Sequence, residues 1–213
     1  SHPSVQQAVE LAGCEFREVI GINALEKAIV LDTWKMLIVT PLTPSKYHIP
    51  ASAVRRAVEL AKERDILVFS DDAHMISRCV FYKEEPTFAI GDIDVAVWSI
   101  DKHVPGPRGA AIVAKHDLMD RIQAQVFQFG LEAQTGHYVA MLRGMEMLDT
   151  RPVEEASWLA REAFQRFRRR YGKRVYQAGP GVAISHIEFA EIVMARVARP
   201  ETALTAAEIA ISA

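Results

Sequence analysis

The pattern of hydrophobic and polar positions along the chain predicts an α/β fold. Four short apolar runs have the length and composition of buried strands, and they lie at 34–40, 66–69, 94–98 and 110–114. An amphipathic helix over 50–64 separates the first two runs. Residues 34–70 are therefore predicted to form a β-α-β unit, with parallel strands and a right-handed crossover.

Helical spacing of apolar residues predicts further helices, at about 5–12, 22–29, 117–127, 132–148 and 152–170. Asp117 is expected to cap the third of these helices. Alternation over 14–20 predicts a strand. Residues 75–91 are predicted to be a connecting loop with a short helical turn, and 182–199 and 205–213 have the pattern of small-domain elements.

This order of elements suggests a large domain over 1–150 and part of a small C-terminal domain over 151–213. The sequence opens without a strand before its first helix and ends inside a helical pattern. We therefore expect these residues to be part of a longer polypeptide, or the ordered part of one.

Composition excludes few classes of protein. The chain has 213 residues, half of them hydrophobic, and a formal net charge of −2, which gives no general argument for binding nucleic acid or an anionic membrane. No apolar run has membrane-spanning length, and the histidines have no metal-ligand spacing. Cys14 and Cys79 are far apart, as expected for free thiols in a reducing cytoplasm.

Polar side chains cluster where two predicted strands end. Ser70-Asp71-Asp72-Ala73-His74 follows the run at 66–69, and Ser99, Asp101, Lys102 and His103 follow the run at 94–98 before a Pro-Gly-Pro turn. Ligands of open α/β sheets bind at the carboxyl ends of strands. The two clusters therefore predict a binding site.

Lys102 and Asp71 are expected at neighbouring strand ends, and together they suit one cofactor. A buried lysine can act as a nucleophile toward carbonyls, and a carboxylate can hold a protonated ring nitrogen. Pyridoxal phosphate needs both groups. His74 could lie beside the ring, while Ser99 and His103 could donate to the phosphate. The alternative is a structural Lys102–Asp71 ion pair that closes the sheet.

Three motifs resemble the core signature of fold-type I pyridoxal-phosphate enzymes: Asp71-x-x-His74, Ser99-x-x-Lys102-His103 and Gly106-Pro107-Arg108-Gly109. Serine hydroxymethyltransferase has a similar pattern. The chain is more similar to the archaeal selenocysteine-synthase-like group, as the segments 129–134 and 43–47 indicate. The resemblance covers about residues 1–150.

The resemblance implies that Lys102 forms the internal aldimine with pyridoxal 5'-phosphate and moves the proton at the substrate α-carbon. It implies that Asp71 pairs with the pyridine nitrogen and that His74 contacts the ring or its 3-hydroxyl. Asp72 is the alternative acid, but the spacing to His74 favours Asp71.

The resemblance assigns five further residues to the site. Ser99 and His103 would help to hold the phosphate, and Ser45 or Tyr47 would approach the ring from the preceding loop. Arg108 would bind a substrate carboxylate, or alternatively brace its own loop. No metal ligand is implied.

The fold implied is the mainly parallel sheet of an aminotransferase-like large domain, in a cytoplasmic transferase or lyase that acts on an amino acid or aminoacyl substrate. The implied reaction is β-elimination or replacement, as in the selenium transferases. Alternatives are an aminotransferase, a desulfurase-like lyase, or a truncated, non-catalytic homologue that serves as a dimeric scaffold. Family members form their site across a dimer interface, which implies a homodimer or a multiple of dimers.

Two features complicate the resemblance. The glycine-rich loop that binds the cofactor phosphate in the family has no counterpart in this sequence. An arginine-rich segment over 161–174 could contact a transfer RNA, as in the selenocysteine synthases. The preferred interpretation is a solvated helix face, with Trp158, Leu159, Ala163 and Phe167 buried opposite.

Overall fold

The computed structural model describes residues 3–31, 33–43 and 48–194. The strands are β1 (Met36–Val39), β2 (Leu67–Asp71), β3 (Val95–Ser99), β4 (Ala110–Ala114), β5 (Val175–Ala178) and β6 (Gly181–Ile184). The helices are α1 (Pro3–Leu11), α2 (Ile22–Leu31), α3 (Ala51–Lys62), α4 (Met75–Tyr82), α5 (Thr87–Ile90), α6 (His116–Gln128), α7 (Thr135–Glu146), α8 (Arg151–Tyr171) and α9 (His186–Met194).

A four-stranded sheet in the order β1-β2-β3-β4 forms the centre of the fold. The first three strands are parallel, with Met36 beside Leu67 and Phe69 beside Val95. β4 runs antiparallel to β3. The predicted β-α-β unit is confirmed, and the carboxyl ends of β1, β2 and β3 therefore lie at one edge of the sheet, here called the carboxyl edge.

The main core lies between the parallel strands and α3. Val54 and Ala61 on this helix and Val68 on β2 are completely buried, and Ile90 of α5 packs into the same cluster. Burying one such valine or isoleucine side chain contributes about 1.5–3 kcal/mol. This packing fixes the strands relative to each other and so sets the spacing of the groups at their ends.

Charged groups at the opposite edge of the sheet are paired. Asp94, just before β3, accepts hydrogen bonds from Lys62 Nζ at 2.5 Å, from the Val68 amide at 2.7 Å and from Lys115 Nζ at 2.8 Å. Burial opposes ionisation of this carboxyl, but the hydrogen bonds from Lys115, Lys62 and Val68 outweigh it and lower the pKa of Asp94. The pairing joins α3, β2 and β3 at this edge.

Three local predictions were wrong. Residues 14–20 form no strand, although they alternate in polarity. Residues 75–91, predicted to be a loop with a short turn, contain the two helices α4 and α5. Asp117 does not cap α6, because Lys115 occupies the cap position and Asp117 lies within the first turn.

The chain divides into two compact units between Val153 and Glu154. In the second unit, β5 and β6 form an antiparallel hairpin, and Arg168 Nη1 donates to the Val175 carbonyl oxygen at 2.5 Å. The expected burial of Trp158, Leu159 and Phe167 is wrong, since these side chains are 61%, 53% and 47% exposed. The predicted elements at 195–213 lie outside the described residues.

None of the helices in the described part of the chain is both long and apolar enough to span a membrane.

We expect Asp94→Asn to lower the free energy of unfolding by about 1–3 kcal/mol at neutral pH, because the two lysines lose their buried anionic partner. Since the folded-state pKa of Asp94 lies below its ordinary value of 3.8, this stabilisation is present above that value and is lost as the pH falls through the folded-state pKa. Urea unfolding of the unsubstituted protein and of Asp94→Asn measures this effect. The difference between their free energies of unfolding should become smaller as the pH is lowered from neutral to about 3.

Asp92→Asn is the matched control for this measurement. The Asp92 side chain is 61% exposed although it also pairs with Lys115, so its loss should cost less than about 1 kcal/mol. Equal effects of the two substitutions would contradict the assigned importance of Asp94.

Candidate functional site

The two predicted polar clusters meet at the carboxyl edge. Asp71 is the last residue of β2 and lies beside Val97 of β3. The Asp72 amide donates to the Val97 carbonyl oxygen at 2.9 Å. β3 ends at Ser99, and a short 3₁₀ turn over Ile100–Lys102 follows directly. Parallel pairing of β2 and β3 therefore brings together two segments that are about thirty residues apart in sequence.

Of the two adjacent acids, Asp72 is fully engaged. It is 2% exposed and accepts Arg78 Nε at 3.0 Å and Arg78 Nη2 at 2.7 Å. It also accepts the amide and the hydroxyl of Thr87 at 3.1 and 3.0 Å. Asp71 is half-buried and accepts the Ala73 amide at 3.3 Å. The carboxylate of Asp71 thus retains more acceptor capacity than that of Asp72, which is also held in a buried ion pair.

The ion pair of Asp72 continues into a buried network. Arg78 is completely buried and also donates Nη1 to Glu84 at 3.0 Å. Glu84 in turn binds His48 Nε2 at 3.1 Å and the Ala51 amide at 3.0 Å. The His48 ring stacks on Tyr82 with centroids 3.5 Å apart. The network therefore links the turn after β2 to the end of the loop that precedes α3.

His74 lies at the amino-terminal cap of α4 with its Nε2 atom buried and without a hydrogen-bond partner among the described residues. Burial lowers the pKa of His74, and the positive charges of Lys102 and His103 lower it further, while Asp71 and Asp72 raise it. The net effect favours the neutral imidazole.

Lys102 projects from the turn after β3 and is exposed, so the expectation of a buried lysine is wrong for the described chain. The alternative of a structural ion pair is not found either. Within residues 3–31, 33–43 and 48–194, Lys102 has no ion pair with Asp71 or any other carboxylate. Its amine is therefore accessible to a ligand at the carboxyl edge.

The Gly-Pro-Arg-Gly loop after Lys102 packs closely on α7. A Cβ atom at Gly109 would overlap the Met141 sulfur, and one at Gly144 would overlap the Pro105 carbonyl oxygen. Gly106 has φ +142°, a conformation that favours glycine. Gly144 on α7 is therefore required for the close approach of the loop backbone to this helix, and Gly106 for the conformation of the loop that follows the lysine.

Arg108 is 94% exposed, and its Nε donates to Asp101 at 3.3 Å. Its backbone carbonyl oxygen contacts His137 Nε2 at 3.1 Å. These contacts correspond to the alternative in which Arg108 braces its own loop, and its exposed guanidinium also remains accessible to an anion.

The other residues predicted to contact the cofactor are Ser99, His103, Ser45 and Tyr47. Ser99 is half-buried at the end of β3, and His103 is half-buried and hydrogen-bonded to the hydroxyl of Ser77 on α4. Burial and the charge of Lys102 lower the pKa of His103. Ser45 and Tyr47 lie outside the described residues.

Sequence reasoning missed two polar residues of this region, Thr40 and Ser77. Thr40 directly follows β1 at the carboxyl edge, and its Oγ1 is buried without a hydrogen-bond partner in the described ranges. A polar residue at the end of a predicted strand was the same signal that identified Asp71 and Ser99. Ser77 gave no such signal, because it lies in the segment predicted to be a loop.

These groups suit an aromatic cofactor with a carbonyl. The described chain offers a free amine on Lys102, an available carboxylate on Asp71, and buried polar atoms without partners on His74 and Thr40. An unsatisfied buried polar atom costs about 1–3 kcal/mol unless a ligand or water completes its hydrogen bond. Groups of three or more His, Cys, Asp or Glu that could hold a metal ion are absent from the described part.

No family model matches the sequence. The chain is similar to the UPF0425 pyridoxal phosphate-dependent protein of Methanosphaera stadtmanae, with 30% identity over 168 residues that cover 78% of this chain and 43% of that protein. A protein of the same name from Methanothermobacter thermautotrophicus is 32% identical over 169 residues, which cover 79% of this chain and 44% of that protein. The chain thus spans less than half the length of these relatives.

Solved structures share the fold. A Listeria monocytogenes protein described as an L-allo-threonine aldolase superimposes with a TM-score of 0.69 at 14% identity, covering 89% of this chain and 57% of that one. Serine palmitoyltransferase of Sphingomonas wittichii gives a TM-score of 0.66 at 17% identity and covers 89% and 52%. The predicted fold class is therefore confirmed: the chain has the α/β architecture of a fold-type I, aminotransferase-like large domain.

The different surroundings of Asp71 and Asp72 predict that the same substitution has a large effect on stability at Asp72 and a small one at Asp71. Asp72→Asn removes the nearer of the two carboxylates that pair with the buried guanidinium of Arg78 and leaves only Glu84, so we expect the free energy of unfolding to fall by about 3–5 kcal/mol. Asp71→Asn breaks no buried ion pair and should change the free energy of unfolding by less than about 1 kcal/mol. Urea unfolding of the three proteins measures both effects, and similar losses would refute the structural assignment.

Proposed function

We propose that this chain carries the cofactor-binding core of a pyridoxal-phosphate-dependent transferase or lyase. The observation on which this proposal rests is the juxtaposition of Lys102, the available carboxylate of Asp71 and the unpaired Nε2 of His74 at one edge of the sheet. The names of the curated relatives support the same cofactor.

The amine of Lys102 would bind covalently to the aldehyde carbon of the cofactor, with loss of water. This amine is exposed and therefore accessible for the reaction. Bound pyridoxal phosphate supplies an electron sink for charge that develops at the substrate α-carbon. Asp71 would accept a hydrogen bond from the protonated ring nitrogen, since Asp72 is buried and already accepts four hydrogen bonds from Arg78 and Thr87. Lys102 would then carry the proton to and from the substrate α-carbon.

His74 would supply a neutral imidazole to the ring or its 3-hydroxyl. Its buried Nε2 has no partner in the described part of the chain, and its lowered pKa keeps it uncharged. Thr40 Oγ1 is a second buried polar atom available at the same edge. A ligand that engages both atoms would remove the cost of leaving them unsatisfied.

The phosphate and the substrate would engage the surrounding residues. Ser99 and His103 are proposed to approach the phosphate, Ser45 or Tyr47 to approach the ring, and Arg108 to bind a substrate carboxylate. The exposed guanidinium of Arg108 supports that last role.

The proposed substrate is an amino acid or aminoacyl group, and the proposed reaction is β-elimination or replacement similar to that of the selenium transferases. Aminotransferase and desulfurase-like chemistry are the alternatives within the same cofactor class. We propose that residues 1–150 form the cofactor-binding large domain and 151–213 part of a small domain.

The active form is proposed to be a homodimer or a multiple of dimers. Large apolar side chains exposed at the end of α6 and on α7 support an interface on this part of the chain: Phe127, Phe129, Leu131, Val139 and Leu142. Sedimentation of the purified protein tests the association.

The cofactor proposal predicts a specific label on Lys102. We expect the protein incubated with pyridoxal 5'-phosphate and reduced with borohydride to gain the mass of one cofactor, on the peptide that contains Lys102. Lys102→Ala should abolish this label, whereas Lys27→Ala, an exposed lysine on α2, should retain it. Asp71→Asn should weaken cofactor binding roughly ten- to a hundredfold, the effect of losing one charge-assisted hydrogen bond.

Absence of a specific label, in this chain and in any longer polypeptide that contains it, would refute the enzyme proposal. That outcome would favour the alternative of a non-catalytic scaffold, provided that the protein still associates in sedimentation. If the label forms, amino acids can be screened by the change they cause in the absorption spectrum of the bound cofactor.

A further inference from the structure

A hydrogen bond between Ser77 Oγ and His103 Nε2 joins two parts of the candidate site. Ser77 lies on α4 and is 5% exposed, while His103 is half-buried directly after the 3₁₀ turn that follows β3. The bond spans 26 residues of sequence and is partly buried. Such a bond is more persistent than one between exposed side chains.

The two ends of this bond are each next to a residue of the proposed site. Ser77 follows His74 by three positions, so both lie on neighbouring positions of one helix face. His103 is bonded through the peptide chain to Lys102. The bond therefore ties the segment that carries the lysine to α4, which begins directly after His74.

Lys102 has no restraint of its own in the described part of the chain. Its side chain is exposed and makes no hydrogen bond or ion pair there. A lysine has a flexible four-carbon stem, so the position of its amine depends strongly on how its backbone is held. The Val104 amide donates to the Ile100 carbonyl oxygen at 3.0 Å, which closes the turn on itself, and the Ser77–His103 bond then anchors that turn to α4.

We propose that Ser77 is a positioning residue that acts through His103 to hold Lys102 at the carboxyl edge, opposite Asp71 and His74. This inference rests on the proposed function, since it concerns where the cofactor-linking amine is held. With Nε2 engaged by Ser77, His103 offers only Nδ1 to another group. Its principal role is therefore structural support of the lysine, and any contact with the phosphate is made through Nδ1.

The charged surroundings of His103 are compatible with this role. Burial and the adjacent positive charge of Lys102 lower its pKa, and His74 is the other titratable group coupled to it at this edge. A neutral imidazole has one donor and one acceptor nitrogen, so it can share a single hydrogen bond with a hydroxyl.

The decisive comparison uses two ligands, pyridoxal 5'-phosphate and pyridoxal, which lacks the phosphate. We expect Ser77→Ala to weaken the binding of both ligands by the same factor, roughly three- to tenfold, as for the loss of one hydrogen bond. Ser52→Ala, an exposed serine on α3, is the matched control and should have no effect. A loss seen with the phosphorylated ligand alone would overturn the proposal and assign these residues to phosphate binding.

Substitutions of His103 separate its two ring nitrogens. The amide of glutamine reaches the position of Nε2, so His103→Gln should preserve the contact with Ser77 and most of the affinity. Asparagine places its amide near Nδ1, so His103→Asn should lose the contact and bind as weakly as Ser77→Ala. The double substitution Ser77→Ala, His103→Asn should be no worse than either single one. Additive losses would contradict a role through the shared bond.

A measurement without cofactor keeps this inference distinct from the proposed function. Backbone ¹⁵N relaxation should give Lys102 and His103 order parameters near the rigid value of about 0.85, falling toward about 0.6 in Ser77→Ala. Urea unfolding checks that the variant remains folded. Unchanged order parameters would overturn the positioning role even if the protein binds the cofactor. A decrease in the order parameters would support the positioning role even if the protein does not bind the cofactor.

Discussion

The buried ion pair between Asp72 and Arg78 is the interaction on which the candidate site depends. Both side chains are almost completely removed from solvent, and Asp72 accepts four hydrogen bonds from Arg78 and Thr87. A buried charge without a partner is very costly, so each of the two residues constrains the other. The pair fixes the turn between β2 and α4, and that turn carries Asp71 and His74. The two adjacent carboxylates thus have different roles, because Asp72 is held in the ion pair and Asp71 remains available to a ligand.

The same contrast distinguishes the two edges of the sheet. At the edge near the start of β3, Asp94 pairs with Lys62 and Lys115, so its charge is balanced within the chain. At the carboxyl edge, Lys102 has no ion pair in the described ranges, and buried atoms of His74 and Thr40 have no hydrogen-bond partner there. The first arrangement stabilises the fold, whereas the second keeps polar groups free for a ligand.

Much of the sheet could be predicted, because its strands are short apolar runs between polar segments. The pairing of β2 with β3, and hence the proximity of Asp71 to the Lys102 segment, followed from that pattern. α4, in which Met75, Ile76, Ser77 and Arg78 are all buried, was missed. The helix is short, so its apolar positions span only about two turns, too few for the sequence to distinguish it from a loop with a helical turn. The segment 14–20 has the opposite problem, since alternation alone does not make a strand without a neighbouring strand to pair with.

The exposure of Lys102 could not be inferred from its position after an apolar strand. Burial depends on what packs over the turn, and the Gly-Pro-Arg-Gly loop packs on α7 through Gly109 and Gly144, leaving the lysine uncovered. The partner of His103 could not be inferred either, because Ser77 lies 26 residues earlier in the sequence, in a segment without a clear pattern. These features arise from tertiary contacts between elements that are distant in sequence.

The unsatisfied atoms at the carboxyl edge have an energetic consequence. Each buried polar atom without a partner lowers the stability of the fold by about 1–3 kcal/mol, which is large compared with the net stability of a domain. Replacing Thr40 or His74 by an apolar residue of similar size would relieve part of that cost, so fold stability alone does not explain them. A ligand that completes their hydrogen bonds recovers the lost stabilisation only when it is bound. Structure and binding would therefore be coupled at this edge under the proposed function: the polar contacts are complete within the chain at the edge near Asp94, whereas at the carboxyl edge the proposed ligand would complete them.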